Sequence, residues 1–394
     1  MKKTFLVLSI LIVSVFTLKA QQNLDFSGAQ GIISPVVNNN NTVTFKLDAP
    51  KAAEVFIQGD WMPSQGWVPG KAAMSKDEKG IWTYTSEALK SDLFMYNFIV
   101  DGLKITDPNN VYQIRDIANI FSIFITNGNQ SSLYKVEDVP HGTVSRTWYD
   151  SPRLKATRRL TVYTPPGYEQ TKESYPVLYL LHGVGGDEEA WISLGRTAQI
   201  LDNLIAAGKA KPMLVVMTNG HTSNAAAPGE SSKGLYKPVM MTPDVGSGNM
   251  ESTFQDVVDF VEKTYRVKKN KADRAIAGLS MGGSHTLFIS AYLNNTFDYV
   301  GLFSAAYRLG RPDVKEIPAV YENYEKNLEK QRDNGYRLYW IGMGKTDFLY
   351  QSGADFRKLL DDKKAKYTYR ESEGGHTWSN WRLYLSEFAP LLFK

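Results

Sequence analysis

A serine bracketed by glycines, in the motif Gly-Leu-Ser-Met-Gly, constrains this chain more than any other stretch. The serine is Ser280; a short apolar run precedes the motif at residues 275–277, and an apolar-periodic segment follows it at residues 286–293. This order predicts a strand, a sharp turn and a helix, with the serine in strained backbone at the turn. The glycines are needed because neighbouring chain segments pass close to such a turn. Ser280 is therefore the candidate nucleophile.

A serine hydroxyl needs a base, and in this arrangement the partners follow the serine in the order acid, then histidine. Among the five histidines, only His285 and His376 follow Ser280. His285 lies on the helix predicted to leave the turn, where it would point away from the sheet edge. His376 lies in a glycine-loosened loop between the last predicted strand and the last predicted helix. We predict His376 as the base, and interpret the earlier His182 as a loop-packing residue.

The predicted acid is Asp347, which directly follows an apolar strand at residues 338–341. It therefore lies at the carboxyl end of a strand, the edge at which sites form in open α/β sheets. Later acids, such as Asp355, fall within a helical pattern and are interpreted as surface charge. An oxyanion hole takes one backbone N–H from the residue after the nucleophile and one from an early loop. These are predicted to be Met281 and Val184, the latter in the run His-Gly-Val-Gly-Gly.

The N-terminus predicts export. Two lysines, an apolar run at residues 5–18 and Ala20 have the pattern of a secretory signal peptide, residues 1–20, whose apolar run is too short to remain as a membrane span. We therefore expect a periplasmic or extracellular protein without a membrane span. The net charge of +4 without a dense basic run argues against a nucleic-acid partner. No metal and no cofactor are expected, because His-Glu-x-x-His is absent and the histidines are scattered.

Two domains are predicted after the signal peptide. Residues 21–135 contain short alternating apolar runs separated by turn residues, which predicts a small all-β, immunoglobulin-like sandwich. Residues 136–394 alternate between apolar strands and helical patterns, which predicts a doubly wound α/β sheet with helices on both faces.

The second domain resembles carbohydrate esterase family 1, the esterase-D-related α/β-hydrolases. The resemblance rests on Leu-Leu-His-Gly-x-Gly-Gly ending at Gly186, on Gly-Leu-Ser-Met-Gly-Gly around Ser280, on the strand end at Asp347 and on Gly-His-x-Trp at His376. It implies a serine esterase that releases ferulic acid from plant cell-wall arabinoxylan. The same resemblance leaves acetyl xylan esterase and siderophore esterase activity open, and an inactive, glycan-binding surface protein is the alternative from another class. The oligomeric state is left open.

The first domain resembles the early-set sandwich modules of the glycogen-binding type. Its Gln-Gly-Asp-Trp, Gly-Ile-Trp and Val-Asp-Gly runs are similar to theirs over about residues 30 to 130. The resemblance makes Trp61, Trp67 and Trp82 candidates for glycan binding. Packing of these rings in the sandwich core is the alternative, with the domain docked on the catalytic half.

Substrate contacts are predicted from aromatic residues near the loops at the sheet edge, since such rings stack on aryl groups. The candidates are Trp191, Tyr307, Phe348, Tyr350 and Trp381. For each of them, core packing is the alternative. A long segment rich in small residues, residues 221–249, is predicted to be a lid or a wall of the acyl pocket.

Overall fold

The computed structural model describes residues 31–64, 68–307 and 318–394. The predicted signal peptide and Trp67 lie outside these residues. The first region holds the strands β1 Val36–Val37, β2 Val43–Asp48, β3 Val55–Gly59, β4 Lys71–Ala73, β5 Ser75–Lys76, β6 Ile81–Thr85, β7 Leu93–Val100, β8 Leu103–Ile105, β9 Gln113–Asp116 and β10 Asn119–Ile125.

The second region alternates strands with helices. Its strands are β11 Thr143–Ser151, β12 Ala156–Thr164, β13 Val177–Leu181, β14 Leu214–Thr218, β15 Arg274–Leu279, β16 Tyr299–Phe303, β17 Leu338–Gly344 and β18 Thr368–Ser372. The helices, counted from a short one between the two regions, are α1 Asn129–Ser132, α2 Ala190–Ser193, α3 Thr197–Ala206, α4 Asn249–Thr253, α5 Gln255–Thr264, α6 Met281–Tyr292, α7 Ala319–Glu322, α8 Tyr324–Asp333, α9 Tyr350–Asp362 and α10 Trp378–Phe388.

The first region is a β-sandwich, as predicted. One sheet has the order β1-β2-β6-β5, and the other has β4-β3-β7-β10-β9 with β8 paired to β7. Alternate residues point inwards along each strand, so that β2 buries Val43, Phe45 and Leu47 while the residues between them face outwards. The inward side chains of both sheets form one aromatic-rich core.

Two of the predicted glycan-binding tryptophans belong to this core. Trp82 is buried and donates its indole N–H to Ala49 O at 2.9 Å. Trp61 stacks on Phe45, with ring centroids 5.6 Å apart and planes 7° apart, and meets Phe124 edge-on. Because these rings pack against protein, core packing rather than sugar stacking accounts for Trp61 and Trp82.

The second region is the predicted α/β sheet, with eight strands in the order β11-β12-β14-β13-β15-β16-β17-β18. From β14 to β18 all neighbours are parallel, whereas β11 and β12 run antiparallel at one edge. The parallel strands are continuously apolar because both faces are covered: along β13, Val177 and Tyr179 enter one core cluster, and Leu178 and Leu180 enter the other.

The two faces are covered by different parts of the chain. Helices α4, α5, α6, α8 and α9 contribute side chains to the cluster on one face. On the other face, α3 and α10 share a cluster with Leu93 of β7 and Ile114 of β9, against which Phe121, Ile123 and Ile125 of β10 also pack. The larger sheet of the sandwich therefore packs its inner face into the core of the sandwich. Its outer face packs on the α/β domain.

Charged and polar contacts fasten the same interface. Arg382 of α10 donates to Asp92 Oδ1 at 3.0 Å and to Leu93 O at 2.7 Å, and both side chains of this ion pair are at least 95% buried. Burial raises the pKa of Asp92, but Arg382 and Lys90 outweigh it, so that this pKa is lowered. The sandwich is thus docked on the α/β domain through a buried ion pair. Among the described residues, no helix has the length and apolar character needed to cross a membrane.

Candidate active site

Ser280 occupies the sharp turn predicted for it, between the end of β15 and the start of α6. Its backbone has φ 52° and ψ −115°, a conformation that non-glycine residues rarely adopt. Ser280 N donates to Phe303 O at 2.9 Å, and Ala306 N donates to Ser280 O at 3.2 Å. The end of β16 and the loop that follows it therefore hold the turn through both the N–H and the C=O of the serine.

The glycine at the far side of the motif is required by close packing. A Cβ added to Gly282 would lie 2.4 Å from Leu181 O at the end of β13, a contact that real side chains do not make. Helix α6 can therefore start directly over the sheet edge only because position 282 has no side chain.

Asp347 and His376 are brought together at the same edge of the sheet. His376 Nδ1 lies 2.9 Å from Asp347 Oδ2, and the Asp347 side chain is fully buried. A carboxylate only accepts hydrogen bonds, so Nδ1 is the protonated nitrogen and Nε2 keeps its lone pair. Asp347 Oδ1 also accepts the N–H of Leu349 at 2.9 Å, which fixes the carboxylate. This geometry suits His376 to take a proton at Nε2.

The imidazole of His376 is held between two aromatic rings. Phe348 lies 4.5 Å from it, centroid to centroid, and Trp381 meets it edge-on at 5.0 Å. Asn380 of α10 donates to Gly375 O at 2.8 Å and so fixes the loop just before the histidine. The orientation of His376 is therefore set by packing as well as by Asp347.

The loop of residues 183–187, here called the oxyanion loop, runs beside the serine. A Cβ added to Gly183 would lie only 3.3 Å from Ser280 Cβ, so the loop is in close contact with the turn. Val184 and Met281 both line the same cavity as Ser280 and His376. The two predicted oxyanion donors thus lie on opposite elements around the serine.

Two buried histidines form hydrogen bonds with the backbone of the oxyanion loop. His182 Nδ1 donates to Gly183 O at 2.7 Å while its Nε2 accepts the N–H of Gly220 at 2.7 Å, and His221 Nε2 accepts the N–H of Gly185 at 3.1 Å. Burial lowers the pKa of His182 to about 4 and that of His221 to about 3, so both rings are neutral and able to accept. His182 therefore packs a loop, as predicted.

His285 does not take part in the site. It is buried on α6, its Nδ1 contacts Glu251 Oε1 at 2.8 Å, and it does not line the cavity over Ser280. Tyr321 also donates to Glu251 Oε1, at 2.9 Å. This cluster ties α6 to α4 and α7.

A cavity of about 940 Å³ opens over Ser280 and His376. One part of its wall is apolar and includes Leu279, Phe348, Trp378 and Trp381. Another part is charged and includes Arg146, Arg159, Glu189 and Glu230. Such a mixture of an apolar wall and a few polar groups is typical of a site for a small organic ligand.

The predicted substrate-contact residues divide into two groups. Phe348 and Trp381 line the cavity. Trp191 is fully buried and donates to Leu181 O, Tyr307 stacks on Phe356 at 4.4 Å, and Tyr350 donates to Glu371. These last three pack the domain instead of facing the cavity, because each ring or hydroxyl is committed to a protein partner.

Sequence reasoning missed two parts of the wall. Trp378 follows His376 closely in the chain, and that spacing was a signal that it lies at the site. The other part comes from the sandwich: Arg115, Asp116 and Ile117, at the turn between β9 and β10, line the cavity. Burial raises the pKa of Asp116 to about 6, although Arg115 opposes the shift. The long segment predicted as a lid or wall contributes Met240 and Met241.

The charged wall is an ion-pair cluster. Arg159, whose side chain is only 6% exposed, donates to Glu188 Oε1 and Glu230 Oε2, both at 2.8 Å. Arg146 binds both oxygens of Glu189 at 2.8 Å. Each cation is matched by carboxylates. No group of three metal-ligating side chains comes together within the described ranges.

A nucleophile turn at the end of a parallel strand, with a carboxylate-held histidine at the same sheet edge, defines an α/β-hydrolase. A sequence profile described as "Putative esterase" matches residues 151–392, and the chain belongs to this esterase family. The resemblance to carbohydrate esterase family 1 is confirmed, and the chain has the architecture of a serine esterase.

Alignments with two sequence relatives cover most of this chain but less than half the length of each relative. The endo-1,4-beta-xylanase/feruloyl esterase of Xylanibacter ruminicola is 27% identical over 91% of this chain and 46% of its own length. Endo-1,4-beta-xylanase Y of Acetivibrio thermocellus is 24% identical over 61% of this chain and 22% of its own length. The chain thus spans less than half of these curated relatives.

Solved structures give the same fold. A ferulic acid esterase is 25% identical with a TM-score of 0.53, covering 64% of this chain and 97% of its own. The enterobactin esterase of Shigella flexneri has a TM-score of 0.62 at 16% identity and covers 89% of this chain and 92% of its own. The second match extends over both domains and therefore concerns the two-domain architecture.

Proposed function

We propose that this chain is an exported serine esterase that releases ferulic acid from plant cell-wall arabinoxylan. The observation that carries the proposal is the aromatic-walled cavity at Ser280 and the Asp347–His376 pair. The substrate class is suggested by the relatives, which include an endo-1,4-beta-xylanase/feruloyl esterase. Export is suggested by the N-terminal pattern of lysines, apolar run and Ala20.

In the acylation step, Ser280 Oγ attacks the ester carbonyl carbon while His376 Nε2 takes the hydroxyl proton. The carbonyl oxygen becomes an oxyanion, which the N–H groups of Met281 and Val184 bind. The bond to the sugar oxygen then breaks, and His376 returns its proton to that leaving oxygen. Asp347 stabilises the imidazolium and holds the tautomer throughout.

In the deacylation step, water attacks the feruloyl ester of Ser280. His376 takes a proton from the water, the bond from the acyl carbon to Ser280 Oγ breaks, and the proton returns to the serine. One ester and one water thus give one acid and one alcohol. No other group has to change its protonation state.

The cavity favours an aryl acyl group over an acetyl group. An acetyl group would leave most of a cavity of about 940 Å³ unfilled, whereas Phe348, Trp378 and Trp381 offer ring faces and edges beside His376. Aromatic pairs of this kind contribute about 0.5–1.5 kcal/mol beyond their burial. The apolar wall therefore suits a hydroxycinnamoyl group.

The test compares methyl ferulate with an aryl acetate for the wild type and for Ser280→Ala. We expect higher kcat/KM on methyl ferulate, and a loss of at least about 10⁴-fold in Ser280→Ala, as for other serine hydrolases without their nucleophile. Ser284→Ala, which removes a buried hydroxyl one helical turn away, is the matched control. A Ser280→Ala enzyme that keeps the wild-type rate excludes this mechanism.

Acetyl xylan esterase and siderophore esterase are the competing activities. The fold likeness to the enterobactin esterase over both domains makes a catechol-type ester the more informative competitor. Release of acetate or of a catechol-type acid at a rate above that of ferulate would replace the substrate and leave the serine mechanism intact. Failure to hydrolyse all three esters would favour the glycan-binding alternative.

A further inference from the structure

The β9–β10 hairpin of the sandwich reaches the oxyanion loop of the other domain. Its turn consists of two residues, Ile117 and Ala118, between paired ends of the strands. Ile117 packs on Gly185: a Cβ added to that glycine would lie 3.0 Å from Ile117 Cδ1. Arg115 donates to Asp187 Oδ2 at 2.5 Å. The hairpin therefore contacts the two positions, 185 and 187, that closely follow Val184.

The tip of this hairpin is held in an unusual conformation. Ile117 has φ 53°, in a region that β-branched residues avoid. Arg115 Nη1 donates to Ile117 O at 2.9 Å, so a single guanidinium holds both the hairpin tip and Asp187. Backbone strain of this kind persists where surrounding contacts enforce it, and it clusters at functional sites.

The oxyanion loop has few side chains of its own with which to fix its shape. Three of its five residues, Gly183, Gly185 and Gly186, are glycines, and Gly185 has φ 74°. Its internal hydrogen bond runs from Gly186 N to Gly183 O at 3.1 Å. Glycines leave the chain more conformational freedom than other residues, so the loop depends on its neighbours for a single position.

We propose that Arg115 and Ile117 of the sandwich are positioning residues for the oxyanion hole. Ile117 packs on Gly185 and Arg115 pairs with Asp187, and these two contacts fix the oxyanion loop where the N–H of Val184 can bind the developing oxyanion. The inference rests on the proposed function, since it assigns the sandwich a part in the same reaction. It makes the sandwich a component of the catalytic machinery, in addition to any role in binding the polysaccharide.

Such a role predicts a particular kinetic signature. An oxyanion donor acts on the transition state and hardly at all on the bound ester. Displacing it lowers kcat and leaves KM nearly unchanged. An aryl boronic acid forms a tetrahedral adduct on the serine oxygen, so its binding affinity should fall in parallel with kcat. The binding affinity of the product ferulate should stay unchanged.

The test uses Arg115→Ala and Ile117→Asn in the full chain. Asparagine tolerates the positive φ at position 117 but loses the contact with Gly185. On methyl ferulate we expect kcat to fall about 10-fold to 100-fold in both variants, which is less than the loss of a whole donor, with KM within about twofold. Boronate affinity should fall by the same factor, and the unfolding midpoint of Ile117→Asn should stay at or above that of the wild type.

Arg153→Ala is the matched control, because Arg153 also pairs a part-exposed guanidinium with a buried carboxylate, that of Asp256, but does not line the cavity. It should lose stability and keep kcat. Two results overturn the inference: wild-type kcat in both hairpin variants, or losses of kcat, KM and stability that run together. A wild type without esterase activity, or an active Ser280→Ala, would instead overturn the proposed function.

Discussion

The two faces of the α/β sheet are covered in different ways. One face is covered by helices of the same domain, and among the described residues its cluster contains side chains of the α/β domain and none from the sandwich. The other is covered by α3 and α10 together with the outer face of the β7–β10 part of the sandwich. A domain with one self-covered face and one shared face cannot be expected to fold as an independent half. The comparison can be tested by changes made separately on each side.

Removal of residues 31–135 should have the largest effect. It uncovers the apolar cluster to which Leu93 and Ile114 belong, and it leaves Arg382 buried without Asp92. An uncovered apolar surface of this kind leads to aggregation. We expect no soluble protein with a cooperative unfolding transition, and partial recovery when residues 31–135 are supplied as a separate chain during refolding. A soluble, cooperative and active fragment of residues 136–394 would show that the shared face is dispensable.

The buried ion pair at the shared face should come next. Arg382→Ala removes the buried partner of the Asp92 carboxylate, which is about 5% exposed, and leaves it the exposed Lys90 at 3.3 Å. Breaking a buried pair costs about 3–5 kcal/mol, and because Lys90 remains we expect a loss of about 3 kcal/mol. Arg370→Ala is the control, because its pair with Glu387 is 39% and 32% exposed and should contribute at most about 1 kcal/mol. Denaturant unfolding of both variants measures the difference. Equal losses would contradict the assigned importance of the interface.

Lowering the pH should reduce the unfolding free energy through two buried histidines beside the oxyanion loop. His182 and His221 have pKa values lowered to about 4 and about 3, against about 6.5 when unfolded. The unfolded chain therefore binds more protons below pH 6.5, and each histidine removes about 1.4 kcal/mol of the unfolding free energy per pH unit as the pH falls from 6.5 towards the folded value. His221→Gln keeps an acceptor for Gly185 and should make the dependence shallower. An unchanged slope would mean that His221 is not neutral in the folded protein.

The smallest effect is expected at Phe348, which belongs to the wall built by the α/β domain alone. Phe348→Ala should lower kcat/KM on methyl ferulate by about 3-fold to 10-fold, since it removes one aromatic contact, and should leave hydrolysis of a small acetate nearly unchanged. Its ring is 58% exposed, so the unfolding free energy should hardly change. Equal losses on both esters would mean that Phe348 acts by holding His376.

Much of this architecture was predictable from local patterns. The strands at residues 81–85 and 93–100 have the bounds that their apolar runs indicate, and Ser280, Asp347 and His376 lie at one sheet edge because each follows a parallel strand. Strand β9 could not be predicted from its local pattern, because its turn, Ile117-Ala118, contains none of the residues that favour two-residue hairpins. Tertiary contacts of Ile117 with Gly185 and of Arg115 with Asp187 hold that turn, and a sequence pattern carries no record of such contacts. For the same reason, aromatic residues near the edge could not be divided between core and cavity.

The ion pair between Asp92 and Arg382 joins positions 290 residues apart, one early and one near the C-terminus. The sandwich is synthesised before α10, so the outer surface of its larger sheet gains this covering helix only after about 250 further residues of the chain have been made. Until then the apolar outer surface of that sheet is exposed, and a chain in this state is prone to aggregation. A chain of this design therefore requires that its early part be kept from self-association until α10 has been made.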